Sequence, residues 1–377
     1  MLVRGEAAGS GRITILVDGR YIADGFPGIG RSTFNLVCAL AEAERRHRIV
    51  VLVRAENADT RYGTARLVQS GCELVKTDIR RWYPAEVARL PGLIRRIQPD
   101  VYYSPFFLRP YGIGCPTVVS IFDLIPLDSA YRPSPLTERL VFRIGVMLAC
   151  RLSSAILVPS QTTADRVRRL LPGVGRKIVV SLLAPDPGFS QRSADEVRSV
   201  RRRLGLERPY ILHFASPAPH KNTAGLLRAW AEVTAGTEEP DLVGVGEMPS
   251  GWSADGNRTR CLTGIDDEDL PALYSGAELF VCPSLVEGFG FPVVEAMACG
   301  APVICGSGGS LAEVAGGAAH LVDVSNPTAL ATGIRELLGD RARRARLRGL
   351  GFELTSRLSW STTAHTVLTA LVDAVRR

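Results

Sequence analysis

The sequence predicts an α/β protein of two doubly wound domains facing each other across a cleft, and three observations lead there. Short apolar runs alternate with amphipathic helical segments along the 377-residue chain, the βαβ rhythm of parallel sheets. The rhythm breaks near residues 184–195, where Pro, Gly and polar residues gather as they do between domains. The second half carries a glycine-bearing loop flanked by two carboxylates, Glu287 and Glu295. Ligands of such sheets sit outside the C-terminal strand ends, so the three loops 25–30, 216–222 and 285–290 are expected around one cleft.

The elements follow in order. Residues 12–18 read as a first strand, 25–30 as a glycine loop, and about 31–43 as a helix with Phe34, Val37 and Leu40 on one face. Residues 49–53, 99–103 and 116–121 are short apolar runs between loop or helical segments. A helix is expected over 136–150, a strand over 155–159, a helix over 162–170 capped by Ser160, and a strand over 177–182. After the passage, 194–204 is helical and 209–214 opens a second strand series, continued at 242–245, 260–262, 279–281 and 302–304. Helices are expected at 222–233, 329–338 and 341–354. These runs are continuously apolar, as parallel strands buried on both faces should be. The domains are expected at 12–185 and 186–358, after a disordered lead-in at 1–11. A last helix within 359–377 follows Trp360 and crosses back to the first domain.

Composition narrows the function. At 46% hydrophobic and 22% charged, the chain is compatible with a soluble fold and not with extensive disorder. No apolar run approaches the roughly 18 residues of a membrane span, and residues 1–11 lack a secretory cleavage pattern, so a cytoplasmic location is expected. The eight cysteines form no CxxC pair, so neither a zinc site nor a redox pair is indicated. The net charge is +7, with arginines clustered at Arg80, Arg81, Arg89, Arg95 and Arg96 and again at Arg166, Arg168, Arg169 and Arg176. A solvated helix face is the plain reading. Peripheral contact between this basic half and the inner membrane face is the functional one. Nucleic acid is not expected, because no recognition motif accompanies the charge.

The stretch PSLVEGFGFPVVEAMACG, residues 283–300, carries the chemistry. Its glycines let backbone N–H groups approach phosphate oxygens, and the helix start beyond adds donors. The carboxylates are left to accept hydrogen bonds from sugar hydroxyls. That layout suits a nucleoside-diphosphate sugar and points to glycosyl transfer. With the loops so placed, the chain resembles the retaining GT-B glycosyltransferases of family four, the mannosyltransferase-like group. The resemblance covers most of residues 13–375 and is strongest over 262–304. Weaker echoes are GIGR at 28–31, HKN at 220–222 and SGGSLAEVAG at 307–316.

The resemblance implies a GT-B fold, with acceptor bound by the first domain and donor by the second. It implies that Glu287 holds the donor sugar, that Glu295 binds the nucleotide ribose, and that Gly288, Phe289 and Gly290 touch sugar and diphosphate through backbone. Lys221 would neutralise the diphosphate, and Gly28, Gly30 and Arg31 would close on it. Lys221, Glu287 and Asp123 are the implied catalytic residues. No metal and no cofactor beyond the nucleotide-sugar donor is implied. Retention implies that the departing phosphate itself deprotonates the acceptor.

Plainer roles stand beside these. Glu287 could sit on a solvated turn, Glu295 could favour its own helix start, Lys221 could be an ordinary surface lysine, and Gly28 and Gly30 could only shape a turn. Asn222 is expected to cap the next helix and His213 to be packed. Phe289 either walls the sugar or anchors its loop.

The family often has a His-Asp pair where this chain has Phe122-Asp123. Phenylalanine neither donates nor accepts, so either the donor sugar lacks a hydroxyl there, as a deoxyhexose would, or the pocket is rebuilt, or activity is lost. The family commonly has an arginine beside Lys221, where this chain has His220 and, earlier, Ala215. A non-catalytic sugar-nucleotide-binding partner of a transferase, and an epimerase or phosphorylase on the same fold, are therefore alternatives. The acceptor, a glycan, a lipid-linked sugar or a small aglycone, is expected near residues 25–31, 106–111 and 122–132. Uridine, guanosine and deoxythymidine diphosphates all suit the donor site.

Overall fold

The computed structural model describes residues 11–23, 27–55, 62–81, 84–128, 135–234, 240–249 and 258–377. All but one residue of the expected lead-in, residues 25–26 of the first loop and residues 129–132 of the acceptor region lie outside them.

The first half runs β1 (Thr14–Val17), α1 (Pro27–Ala43), β2 (Arg48–Arg54), α2 (Thr64–Gln69), β3 (Glu73–Thr77), α3 (Pro84–Ile97), β4 (Val101–Ser104), β5 (Thr117–Ser120), α4 (Leu136–Leu152), β6 (Ala155–Val158), α5 (Gln161–Leu170) and β7 (Ile178–Val180). Its strands form one parallel sheet in the order β3-β2-β1-β4-β5-β6-β7. The second half runs α6 (Ala194–Arg203), β8 (Tyr210–Ala215), α7 (Thr223–Thr234), β9 (Asp241–Gly246), β10 (Thr259–Leu262), α8 (Leu270–Ser275), β11 (Leu279–Cys282), α9 (Phe291–Ala298), β12 (Val303–Gly306), α10 (Gly309–Ala315), β13 (Ala319–Val322), α11 (Pro327–Gly339) and α12 (Arg341–Ser356), and ends in α13 (Trp360–Arg376). Its sheet is also parallel, in the order β10-β9-β8-β11-β12-β13.

Both sheets reverse strand order at one place, between β1 and β4 and between β8 and β11. At such a switch point neighbouring loops diverge and leave a crevice at the strand ends. The central strands are buried on both faces: β4, β5, β6, β11 and β12 have every residue buried. Edge strands β3 and β13 are only partly buried, so they lack a continuous apolar run and the sequence reading passed over them. It also passed over α2, whose six residues are too few to show a period. The helix α3 carries Pro91 inside it, which masks the helical signal.

Helix α13 starts at Trp360, capped by Ser359, whose Oγ accepts from the Thr362 N–H at 3.1 Å. It returns to the first half and packs along α1, burying Ala364, Val367, Ala370, Leu371 and Ala374. Trp360 Nε1 donates to the Pro185 carbonyl at 3.0 Å and Thr363 Oγ1 to the Leu182 carbonyl at 2.7 Å. These bonds hold the passage between the sheets against the helix. Asn35 on α1 donates to Asp186 in the same passage at 2.9 Å.

His213 on β8 is 3% exposed, between the Val281 carbonyl and the Thr223 hydroxyl, each 3.1 Å from a ring nitrogen. Burial pushes its pKa down to about 4, so it is neutral at pH 7. As pH falls the unfolded chain protonates first, near 6.5, and the folded chain only near 4. Stability present above pH 6.5 is therefore lost across that window, by roughly 3 kcal/mol. Denaturant unfolding at pH 7 and pH 4.5 should show the wild type losing more stability than His213→Asn; equal losses would contradict this.

Candidate active site in the cleft

Helix α1 begins at Pro27, four residues earlier than the sequence reading placed it, so Gly28 and Gly30 lie in its first turn and not in a loop. Pro27 suits a first helical position because it has no N–H to satisfy. The N–H groups of Gly28 and Ile29 have no acceptor within the helix, so the turn presents them at the cleft. Arg31, one residue on, reaches across to the second half and pairs with Glu295 on α9. Glu295 is 1% exposed, and the Tyr274 hydroxyl stands 3.5 Å from its other oxygen. Burial pushes the Glu295 carboxyl above the usual carboxylate range while Arg31 opposes the rise. Arg31 itself stays firmly charged: burial lowers its pKa, but Glu295 and Tyr62 together outweigh that. Its guanidinium also lies over the Phe189 ring, 5.5 Å from the centroid.

The second cation comes from the end of β8. Residues 219–221 form a tight turn, and Lys221 Nζ donates to Glu287 Oε1 at 2.6 Å. Burial alone would lower the Lys221 ammonium, but the Glu287 carboxylate overrides it and raises the pKa. The Leu285 N–H donates to the His220 carbonyl at 2.8 Å and stitches the two second-half loops together. Asn222 does not cap α7 with its side chain as expected. It adopts a left-handed backbone (φ 54°), and its Nδ2 donates to the Val324 and Pro283 carbonyls at 2.8 and 3.3 Å. The amide's donor side thus ties this loop to the backbone that follows β11 and β13.

Two glycines in the loop after β11 are structurally required. A Cβ on Gly288 would stand 1.9 Å from the Phe122 carbonyl oxygen, so only glycine lets this loop touch the end of β5. Gly290 has φ 98° and starts α9, and a Cβ there would meet Leu311 at 2.4 Å. Phe289 both anchors and walls: it is 4% exposed, lies edge-on to Phe291 at 5.4 Å between centroids, and lines the cleft.

Asp123 follows β5 and accepts from the Ile125 N–H at 2.9 Å. Burial raises its carboxyl pKa, the Ile125 N–H pulls it back, and nearby Glu287 adds to the rise. Gly28, Arg31, Phe122, Asp123, Lys221, Glu287, Gly288, Phe289, Gly290 and Glu295 all line one cavity of about 380 Å³. Gly30 is buried just behind, against the Tyr21 and Ala23 backbone, and does not line it. A second cavity of about 870 Å³ shares Ile29, Phe122 and Asp123 with the first and extends under α4. Among the described residues no cluster of three or more His, Cys, Asp or Glu could hold a metal ion.

Sequence reading missed the clamp that joins the halves. Glu313 on α10 reaches the start of α5 in the first half. It accepts from the Gln161 N–H at 2.6 Å, the Thr162 N–H at 2.8 Å and the Thr162 hydroxyl at 2.7 Å. The donors of one helix are thus satisfied by a carboxylate of another domain. Ser160 accepts from the Thr163 N–H as its helix cap and donates to the Gly288 carbonyl at 2.9 Å. Ser310, on the same helix as Glu313, donates to the Glu287 carbonyl at 2.6 Å. No spacing signal joins partners this far apart in sequence.

Residues 27–181 match the family described as Glycosyltransferase Family 4, and residues 198–351 match Glycosyl transferases group 1. The chain is 29% identical to O-antigen chain mannosyltransferase B of Escherichia coli over 71% of its own length and 72% of that protein. It is 25% identical to the Escherichia coli serotype-specific mannosyltransferase WbdA over 96% of its length, and spans 45% of that longer protein. In fold it is similar to Anabaena HepE, solved in complex with UDP and glucose, at a TM-score of 0.73, with 20% identity and 96% and 99% of the two chains covered.

Replacing Glu313 with Ala should free the start of α5. Amide hydrogen exchange at Gln161 and Thr162 is expected to quicken by about tenfold or more, as for loss of a charge-assisted hydrogen bond. Unchanged exchange at both amides would contradict the clamp.

Proposed function

This chain belongs to the family 4 glycosyltransferases of GT-B fold, and on that premise we propose that it moves a hexose, mannose in the first instance, from a nucleoside-diphosphate sugar to an acceptor hydroxyl with retention of configuration. The observation that carries the reading is the meeting of two opposite-charge pairs, Arg31–Glu295 and Lys221–Glu287, in one cavity at both switch points. A nucleoside-diphosphate sugar supplies what those pairs lack: phosphate charge for the cations and hydroxyls for the carboxylates. Donor binding exchanges each ion pair for contacts with the ligand, so little charge is left uncompensated.

In this reading the diphosphate lies between Lys221, Arg31 and the first-turn N–H groups of α1. Glu295 accepts from the ribose and Glu287 from the hexose, while Gly288, Phe289 and Gly290 pass close to both. The bond from the anomeric carbon to the terminal phosphate oxygen breaks, and its electron pair stays on the phosphate. Lys221 stabilises the developing charge, with Arg31 supplying the second cation that this loop otherwise lacks beside His220. The acceptor oxygen attacks from the face the phosphate leaves, and its proton passes to that phosphate. Asp123 orients the acceptor hydroxyl where the two cavities meet. The nucleotide sugar is the sole small-molecule requirement.

Gly30 acts through close packing of α1 and not through ligand contact. Mannosyltransferase relatives support a hexose donor, and the Phe122 wall supports a deoxyhexose as the second reading. The acceptor is a glycan or a lipid-linked sugar, used in the cytoplasm at the inner membrane face, where the basic first half makes peripheral contact.

Turnover of GDP-, UDP- and dTDP-linked hexoses and deoxyhexoses tests the reading. Lys221→Ala should lower kcat by about 10²-fold, as for loss of a transition-state electrostatic contact. Near-normal turnover would reject the role of Lys221. Donor binding without transfer or hydrolysis would favour a non-catalytic partner, and a clear hexose preference would remove the deoxyhexose reading.

A further inference from the structure

Helix α4 is built backwards for a water-facing element. Leu136, Leu140, Ile144, Leu148 and Leu152 recur at every fourth residue, joined by Val141, and each is between 43% and 78% exposed. Residues four apart share one helix face, so these side chains form a single outward stripe along 17 residues. The inward residues Val146, Ala149 and Cys150 are buried against the sheet, so the helix is apolar on both sides. Scattered surface leucines are ordinary; a continuous stripe is the mark of a binding surface. Cations flank it: Arg143 and Arg151 are exposed on α4 itself, and Lys177 and Arg109 bond the carbonyls of Arg151 and Leu152 at its C-terminal end.

The stripe leads inward. Val141 and Ile144 belong both to the outward stripe and to the wall of the cavity of about 870 Å³. Among its described lining residues only Ser120, Asp123, Thr137 and Glu138 carry polar side chains; the rest include Phe106, Phe107, Ile121 and Phe142. Its other end is Asp123 with Ile29 and Phe122, which also line the donor cavity. A bare glycan placed here would lose water from its hydroxyls against aromatic rings without gaining partners. A hydrocarbon chain would lose nothing polar and would cover the rings.

Resting on the transferase reading above, we infer that the acceptor is an amphiphile whose hydrocarbon chain occupies the cavity beneath α4 and whose hydroxyl meets Asp123. It is drawn from an anionic bilayer, on which the stripe of α4 rests with its flanking arginines at the headgroups. Apolar stripe and cationic flanks together are the chemistry of an interfacial helix. The cavity then continues the bilayer's interior to the reacting centre.

Calorimetric binding and transfer should be measured with methyl and octyl α-mannoside below the octyl form's micelle concentration. The octyl form is expected to bind about tenfold tighter or more, and Val141→Asp/Ile144→Asp should reduce that preference to about twofold or less. Equal binding of the two forms, or a preference the double variant leaves intact, overturns the inference. Cosedimentation with phosphatidylcholine vesicles, with and without phosphatidylglycerol, tests the surface. Binding should require the anionic lipid and fall about tenfold or more in Leu140→Asp/Leu148→Asp. Absence of vesicle binding, or a dimer abolished by the same substitutions, would assign the stripe elsewhere and overturn the bilayer source. If the octyl preference holds but no donor is turned over, the transferase reading fails and the chain site stands. If sugar moves equally to both mannosides, the chain site fails and the transferase stands.

Discussion

Glu295 and Glu287 are carboxylates drawn out of water at the mouth of the second sheet, and the cations that compensate them set the rest of the architecture. Arg31 reaches Glu295 from the other domain, so that ion pair is also a bond between the halves. Lys221 reaches Glu287 only because a tight turn after β8 brings its loop against the loop after β11. Breaking a buried pair by removing one partner is costly, because the remaining charge stays desolvated. Ligand groups that replace both partners avoid that cost. The pairs therefore make the cleft stable as it stands, and under the proposed reading a ligand that carries an anion with hydroxyls on either side would replace both partners.

The clamp and the glycines make those pairs meet. Helix α10 carries Ser310 against the Glu287 carbonyl and Glu313 against the start of α5, so one short helix fixes the loop after β11 and fastens it to the first domain. Gly288 removes the side chain that would keep the loop from the end of β5. Helix α13 anchors the passage between the sheets by tying Pro185 and Leu182 to its first turn. Movement of either domain is thus coupled to Glu287 through short hydrogen bonds, the property expected of a site that closes on its substrate.

Much of this was legible in the sequence. Central strands announced themselves as apolar runs, and the Glu287–Glu295 stretch located the cleft because its residues are neighbours along the chain. Ser160 was legible as a cap because helix starts have a local signature. The edge strands β3 and β13 were not, since half-exposed strands carry mixed side chains. The start of α1 was misplaced because glycines at 28 and 30 resemble a loop, whereas Pro27 opens the helix and Gly30 packs tightly on the Tyr21 and Ala23 backbone. Glu313 and the side-chain role of Asn222 were illegible, because each bonds to backbone groups distant in sequence that only the fold brings near. The stripe on α4 could be counted in the sequence, but only the fold shows that its leucines face outward and not into the core.

The most direct test is a crystal structure with a nucleoside-diphosphate hexose bound. The account predicts that Lys221 Nζ and the Arg31 guanidinium lie within hydrogen-bond reach of the diphosphate, with both original ion pairs broken, Glu287 on hexose hydroxyls and Glu295 on the ribose. A ligand seated elsewhere while both glutamates keep their cations would contradict it.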